Sequence, residues 1–137
     1  LKEMYVIFEL SPYKRNLRNT LGKLRKIYFC DLGIRNALVN NFNRLESRNG
    51  IGALWENYCI LERRKFNNNN MRFPNTYFWR AYDQSEIDYL EELNGSLSTY
   101  EFKWSEEKAR RPKAFFEVNP DVPFKMVNRF NYREFLS

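Results

Sequence analysis

At 137 residues, with 43% hydrophobic and 18% aromatic side chains, the chain has the apolar surface for one folded domain and too many rings for disorder. It has no histidine and two cysteines, Cys30 and Cys59, which excludes Ser-His-Asp and Cys-His catalysis, HExxH zinc sites, a cysteine zinc cage and a disulfide framework. Net charge is +6 and uneven: residues 1–66 carry 13 Lys/Arg against 6 Asp/Glu and residues 67–137 carry 10 against 11, so the basic half suits nucleic acid or an acidic protein face.

Tyr5 to Leu10 reads as a β-strand, broken by Ser11-Pro12. Lys14 to Lys26 is a basic, turn-rich connector. Lys26 to Cys30 is a second strand, apolar enough to be buried, and Asp31 then caps a helix over about 32–41. Asn41 to Gly50 is a polar loop. The strongest helix spans about 51–66, with Ile51, Leu54, Trp55, Tyr58, Cys59 and Leu61 on one arc. Its last turn, Arg63-Arg64-Lys65, complements the negative end of the helix dipole. Asn67 to Asn70 reads as a loop.

Three strands follow, at 76–82, 85–91 and 97–104. Pro112 suits a first helical position and predicts a short helix over about 112–118. Pro123 to Val127 is a last strand, and Asn131 opens a terminal turn. No apolar run approaches the roughly 18 residues of a membrane span, and no signal peptide is evident, so a cytoplasmic location with reduced thiols is expected. The start at Leu1, directly ahead of a strand, predicts the C-terminal piece of a longer protein.

The candidate chemistry lies at Asn94-Gly95, a two-residue type I′ hairpin signal. If this pair is the turn, Leu93 faces Ser96, Asp88 faces Glu101 and Glu86 faces Lys103. All four charged side chains then share one face, and Ile87, Tyr89, Tyr100, Phe102 and Trp104 share the other. Directly opposed carboxylates, with β-carbons about 5 Å apart, repel, and burying them without a cation would raise one pKa so that the pair shares a proton. Mg²⁺ removes the conflict, because it is commonly held by one or two carboxylates plus a phosphate. The same residues also suit a solvated hairpin face, with Glu86–Lys103 as a cross-strand ion pair. On the long helix, Glu62 falls inside the apolar arc and Glu56 at its border, so each needs a partner: the charged sheet face, or a base such as Arg80.

The ordered set Gly52-Ala-Leu-Trp-Glu56-Asn57-Tyr, Tyr77-Phe-Trp-Arg80, Glu86-Ile-Asp88 and Glu101-Phe-Lys103, with Lys26-Ile-Tyr-Phe-Cys-Asp31-Leu-Gly-Ile-Arg before it, resembles the C-terminal domain of prokaryotic AAA+ ATPases. That domain belongs to the PD-(D/E)XK, restriction-endonuclease-like superfamily. The resemblance implies an α/β fold with a mixed central sheet flanked by helices on both sides. It implies a domain over residues 21–137, preceded at 1–20 by the tail of a linker or winged-helix module. By resemblance Asp88 and Glu101 would be Mg²⁺ ligands, Lys103 the catalytic lysine and Glu56 the auxiliary catalytic acid; the helix arc and the hairpin register add Glu62 and Glu86 as possible auxiliaries. Ile87 stands where the superfamily name has proline.

The expected partners are DNA and the ATPase domain of the same polypeptide, with no membrane. Backbone phosphates would meet Lys14, Arg15, Arg18, Lys23, Arg25, Lys26, Lys108, Arg110, Arg111 and Lys113. The expected function is a nuclease-like module that binds or cleaves DNA. The alternative is a non-catalytic interaction or regulatory module of the same ATPase. The phosphate loop GxxxxGK[ST] is absent, since Gly22-Lys23 lacks the upstream glycine and is followed by Leu24.

Overall fold

The computed structural model describes residues 4–13, 24–38, 44 and 50–137. Six strands, β1 (Ile7–Pro12), β2 (Lys26–Phe29), β3 (Asn75–Arg80), β4 (Glu86–Leu93), β5 (Ser96–Phe102) and β6 (Phe124–Val127), form one sheet in the order β2-β1-β3-β4-β5-β6. The sheet is mixed: β1–β3 and β5–β6 are parallel and the other pairs antiparallel. Four helices accompany it: α1 (Leu32–Leu38), α2 (Ile51–Asn69), α3 (Lys113–Val118) and α4 (Tyr132–Phe135). The chain is thus α/β, with a mixed central sheet.

Each face of the sheet buries its own core. On one, Trp55, Cys59, Ile60 and Leu61 of α2 and Phe135 of α4 meet Phe8, Leu10, Phe78, Tyr89, Tyr100 and Phe102. On the other, Phe115 and Phe116 of α3 meet Tyr13, Ile87 and Leu90. Two apolar faces explain why β4 is buried almost throughout. No helix among the described residues is long and apolar enough to cross a membrane.

The local signals mostly held. Asp31 Oδ1 accepts the N–H groups of Gly33 at 2.6 Å and Ile34 at 3.2 Å, capping α1. Asn94 and Gly95 take φ of 52° and 79°, as a type I′ turn requires, and Leu93 pairs with Ser96.

Three readings need correction. Ser11-Pro12 does not break β1, because the strand turns to a parallel neighbour there, pairing with Tyr77 and Phe78, and proline's missing N–H is tolerated. Helix α2 runs through Asn69, because Asn67 is buried and hydrogen-bonded instead of belonging to a loop. A bulge in β4 shifts its register against β3 between Tyr77 and Trp79, so Ile87 and Tyr89 serve opposite cores. The boundary expected at residue 20 falls outside the described residues, and β1 ahead of it is hydrogen-bonded into the sheet.

Candidate functional site

The β4–β5 backbone ladder is regular from the turn to Tyr89–Tyr100. One step further the Asp88 side chain takes over: the Phe102 N–H donates to Asp88 Oδ2 at 2.9 Å. The bulge next to Asp88 opens the strands enough for a carboxylate to do what a carbonyl does in a regular ladder. Asp88 is 5% exposed, and the Glu101 carboxylate across the hairpin is largely buried.

The electrostatics of this pair are unfavourable as they stand. Burial, followed by the charges of Glu56 and Glu101, pushes the Asp88 carboxyl up to about 8, against the lowering effects of Lys26 and the Phe102 N–H. Burial also raises Glu101, although Lys103 opposes it. Glu101 Oε2 is buried without a hydrogen-bond partner, while Asp88 lies within hydrogen-bonding reach of the Glu101 carboxyl. A proton on Asp88 relieves the repulsion, and a divalent cation would relieve it too. The oxygen donors are thus of the kind Mg²⁺ prefers. Among the described residues, no three Asp, Glu or Cys side chains converge on one metal position, so the candidate is a two-carboxylate site.

Lys103 follows β5 and is fixed through its backbone N–H to Val127 O at 3.0 Å. Its Nζ lies 3.5 Å from Glu101 Oε1, half open to solvent. Glu101 and Lys103 line a cleft of about 610 Å³ together with Asp83, Glu86, Glu107, Lys108, Arg110 and Lys113. The structure therefore brings Lys108 and Arg110 of the loop and Lys113 at the start of α3 to the same cleft. Arg111 instead stacks on Phe116, 4.0 Å from the ring centroid, and donates to Pro120 O. Exposed Arg25 donates to Leu24 O. Lys14, Arg15, Arg18 and Lys23 lie outside the described residues.

Lys26 is not an exposed phosphate contact. It is the cation of the cluster: Nζ lies 2.9 Å from Glu56 Oε1, 3.7 Å from Asp88 Oδ1 and 3.8 Å from Glu86 Oε1, with its side chain 17% exposed. Burial alone would lower its pKa, but Glu56 and Asp88 outweigh burial and raise it, so it stays charged. Tyr28, two residues on, donates to Glu56 at 2.5 Å, and burial together with Glu56 holds its phenol far above the ordinary range. The Asn57 amide pins β2 in place, donating to Phe29 O and accepting the Phe29 N–H, both at 2.9 Å. Nothing in the helical periodicity of α2 marks Asn57, and nothing in the strand pattern of β2 marks Lys26. Their roles arise where α2 meets the edge strand.

Glu56 thus joins the site through Lys26 and Tyr28. Glu62 does not: its side chain is 30% exposed and pairs with Lys65 at 2.7 Å along the same helix. Glu86 does not pair with Lys103. Arg80, its neighbour on β3, clamps one Glu86 oxygen through Nε at 2.8 Å and Nη2 at 2.6 Å. The sequence reading also missed a buried centre at Glu91, which accepts Arg63 Nε and Nη2, both at 2.9 Å, and the Tyr89 hydroxyl at 3.1 Å. Arg63 also donates to Phe135 O, tying α4 to the network.

Residues 51–132, more than half of the chain, match a family described as Domain of unknown function (DUF4143). Residues 1–45 match a second, Domain of unknown function (DUF8612). An uncharacterized protein of Mycobacterium bovis and one of Mycobacterium tuberculosis are each 30% identical over 106 residues, covering 75% of this chain and 23% of the relative. The chain therefore spans about a quarter of the length of these curated relatives. No solved structure matches it.

Proposed function

The chain belongs to the DUF4143 domain family, and from that premise we propose that it is a nuclease-like module with a two-carboxylate Mg²⁺ site, forming the C-terminal part of an AAA+ ATPase and acting on DNA. DUF4143 occurs in ATPase-associated proteins, which supports the ATPase half of this reading. The motif Asp88, then Glu101-Phe-Lys103, resembles that of the PD-(D/E)XK superfamily, and the sheet carries both elements on adjacent strands. One observation carries the reading: Glu101 Oε2 is buried without a hydrogen-bond partner beside an Asp88 carboxyl pushed up to about 8, a pair of oxygen donors of the kind a small divalent cation takes.

Asp88 and Glu101 would hold the ion, which when bound supplies positive charge to a phosphodiester oxygen and acidifies a water. The chain's own residues do the rest. Lys103 stands at the mouth of the cleft, where its ammonium orients a water or neutralises charge growing on phosphate. Lys108, Arg110 and Lys113 line the same cleft, among the acids Asp83, Glu86 and Glu107, and would meet individual backbone phosphates. Glu56 acts at one remove, by holding Lys26 against the cluster.

The test is cleavage of labelled single- and double-stranded DNA by the chain with Mg²⁺, Mn²⁺ or EDTA. Metal-dependent cutting that disappears in Asp88→Ala and in Lys103→Ala is the expected result. Cutting that survives both substitutions sinks the assignment of the site.

Lys26 favours a second reading. An ammonium already within 4 Å of three carboxylates does part of what a metal would do, as in a non-catalytic interaction module that keeps the fold and has lost the ion. In that case Mg²⁺ leaves both thermal stability and DNA binding unchanged in the wild-type chain.

A further inference from the structure

Residues 128–131, between β6 and α4, form a tight turn held by two asparagine side chains. Asn128 Oδ1 accepts the N–H groups of Phe130 at 2.9 Å and Asn131 at 3.1 Å. Asn131 Oδ1 accepts the Asn128 N–H at 2.8 Å, and its Nδ2 donates to Met126 O at 2.9 Å. These bonds fix the backbone of the two residues at the tip, Arg129 and Phe130, whose side chains are both exposed.

Phe130 is 62% exposed and belongs to neither core, so most of its ring surface stays open. A single exposed ring is ordinary, but this one continues into others. The Arg129 guanidinium lies 4.8 Å from its centroid and 5.3 Å from that of half-buried Trp104. Trp55 meets Trp104 edge-on at 5.4 Å and brings in the half-buried rings of Tyr58 and Tyr132. The result is an aromatic surface with one cation set into it. Arg129 has no hydrogen bond or ion pair among the described residues, so its N–H edge is open. Around the turn, residues 124–134 carry Lys125, Arg129 and Arg133 against Glu134, a net positive segment.

This surface adjoins the candidate site. Trp104 follows Lys103, whose N–H donates to Val127 O at 3.0 Å, and Trp55 precedes Glu56. The end of β5 stands between the cleft, on the side of Lys103, and the aromatic surface, on the side of Trp104.

We infer that this surface takes single-stranded DNA, with an unpaired base stacking on the open ring of Phe130 and a phosphate meeting Arg129. Stacking needs the base faces that a duplex keeps inside. A guanidinium lies flat on a ring while its N–H edge donates to phosphate, so Arg129 keeps its place when the strand binds. The turn is already fixed, so little ordering opposes binding. The inference deepens the nuclease-like reading by naming the form of DNA, and it rests on that reading for the choice of DNA.

The experiment is fluorescence anisotropy of the chain in EDTA with short oligothymidylate and with an abasic strand of the same length. Both carry the same phosphates, so contacts in the Lys103 cleft cancel and the difference reads stacking alone. Oligothymidylate binds at least about fivefold more tightly than the abasic strand, as expected for one stacked base. Phe130→Ala, at an exposed position, removes that difference and leaves the affinity for the abasic strand unchanged. Arg129→Gln weakens both and lowers the salt dependence by about one phosphate contact. Equal binding of the two strands, or an unchanged preference in Phe130→Ala, overturns the inference. Binding of polyglutamate without binding of oligothymidylate also overturns it, in favour of an acidic protein partner. Cleavage with Mg²⁺ is read separately. If cutting fails while the Phe130-dependent preference persists, the inference stands and the nuclease assignment goes. If cutting occurs and the preference is absent, the inference goes and the nuclease assignment stands.

Discussion

Asp88 Oδ2 accepts the Phe102 backbone N–H at 2.9 Å across the hairpin, although the Asp88 carboxyl is pushed up to about 8 by burial and by the charges of Glu56 and Glu101. The folded chain therefore holds a proton that the unfolded chain, with an ordinary aspartate near 3.8, releases. Between those two values the folded state binds more protons, so Asp88 costs stability progressively as pH rises from about 4 to about 8. Glu101, raised by burial, works in the same direction. Asp88→Asn keeps an acceptor for Phe102 and removes the titration. In EDTA, its melting temperature matches the wild type near pH 4, exceeds it increasingly up to about pH 8, and then keeps a constant lead. A difference that stays constant across this range contradicts the origin assigned to the shift.

Lys26 is the cation that makes the cluster tolerable, so its removal exposes the repulsion among Glu56, Glu86 and Asp88. Lys26→Met costs about 1–3 kcal/mol in urea unfolding, less than a fully buried pair would, because both side chains keep about a fifth of their exposure. Tyr28 still donates to Glu56 and limits the loss. Lys26→Met with Glu56→Gln recovers most of it. If the double variant is as unstable as the single one, Glu56 is not the partner that matters.

How far the sequence revealed this site depends on whether the governing interactions are local. The hairpin and its register were legible, because Asn94-Gly95 sets φ by itself and strand alternation carries the register to Tyr89–Tyr100. The cap at Asp31 was legible for the same reason. The β4 bulge was not, since it reconciles β3 with two different cores and no single residue encodes it. Lys26 read as one more base in a basic stretch, because only the docking of β2 on α2 through Asn57 turns it inward. Glu62 was misplaced because periodicity gives an arc but not its centre. With Arg63 buried against Glu91, the inward face of α2 is rotated, and Glu62 remains at the surface.

Arg63 and Glu91 form a two-point ion pair with exposures of 6% and 4%, linking α2, β4 and α4. Burial works against the Glu91 charge, yet the hydrogen bonds from Arg63 hold the carboxyl below the usual range. Arg63→Met leaves a buried carboxylate held, among the described residues, by Arg72, Asn67 and Tyr89, and costs about 3–5 kcal/mol. Arg63→Met with Glu91→Gln restores a substantial part, because the uncompensated charge is gone. Equal destabilisation in both variants, measured by urea titration, places the cost in packing against Phe135 instead.

If Asp88 and Glu101 hold Mg²⁺ as proposed, the ion competes with the proton on the raised Asp88 carboxyl. A cation binds the carboxylate, so loading Mg²⁺ releases that proton. The affinity of the chain for Mg²⁺ accordingly rises with pH up to about 8, by about tenfold per unit for release of one proton, and then levels off. Mn²⁺ follows the same profile. Calorimetry in buffers of different ionisation enthalpy reads the proton release directly, and Asp88→Asn abolishes both the release and the slope. An affinity that does not change between pH 6 and 9 means that any bound ion sits elsewhere, and the carboxylate pair is then a proton-sharing element of the fold.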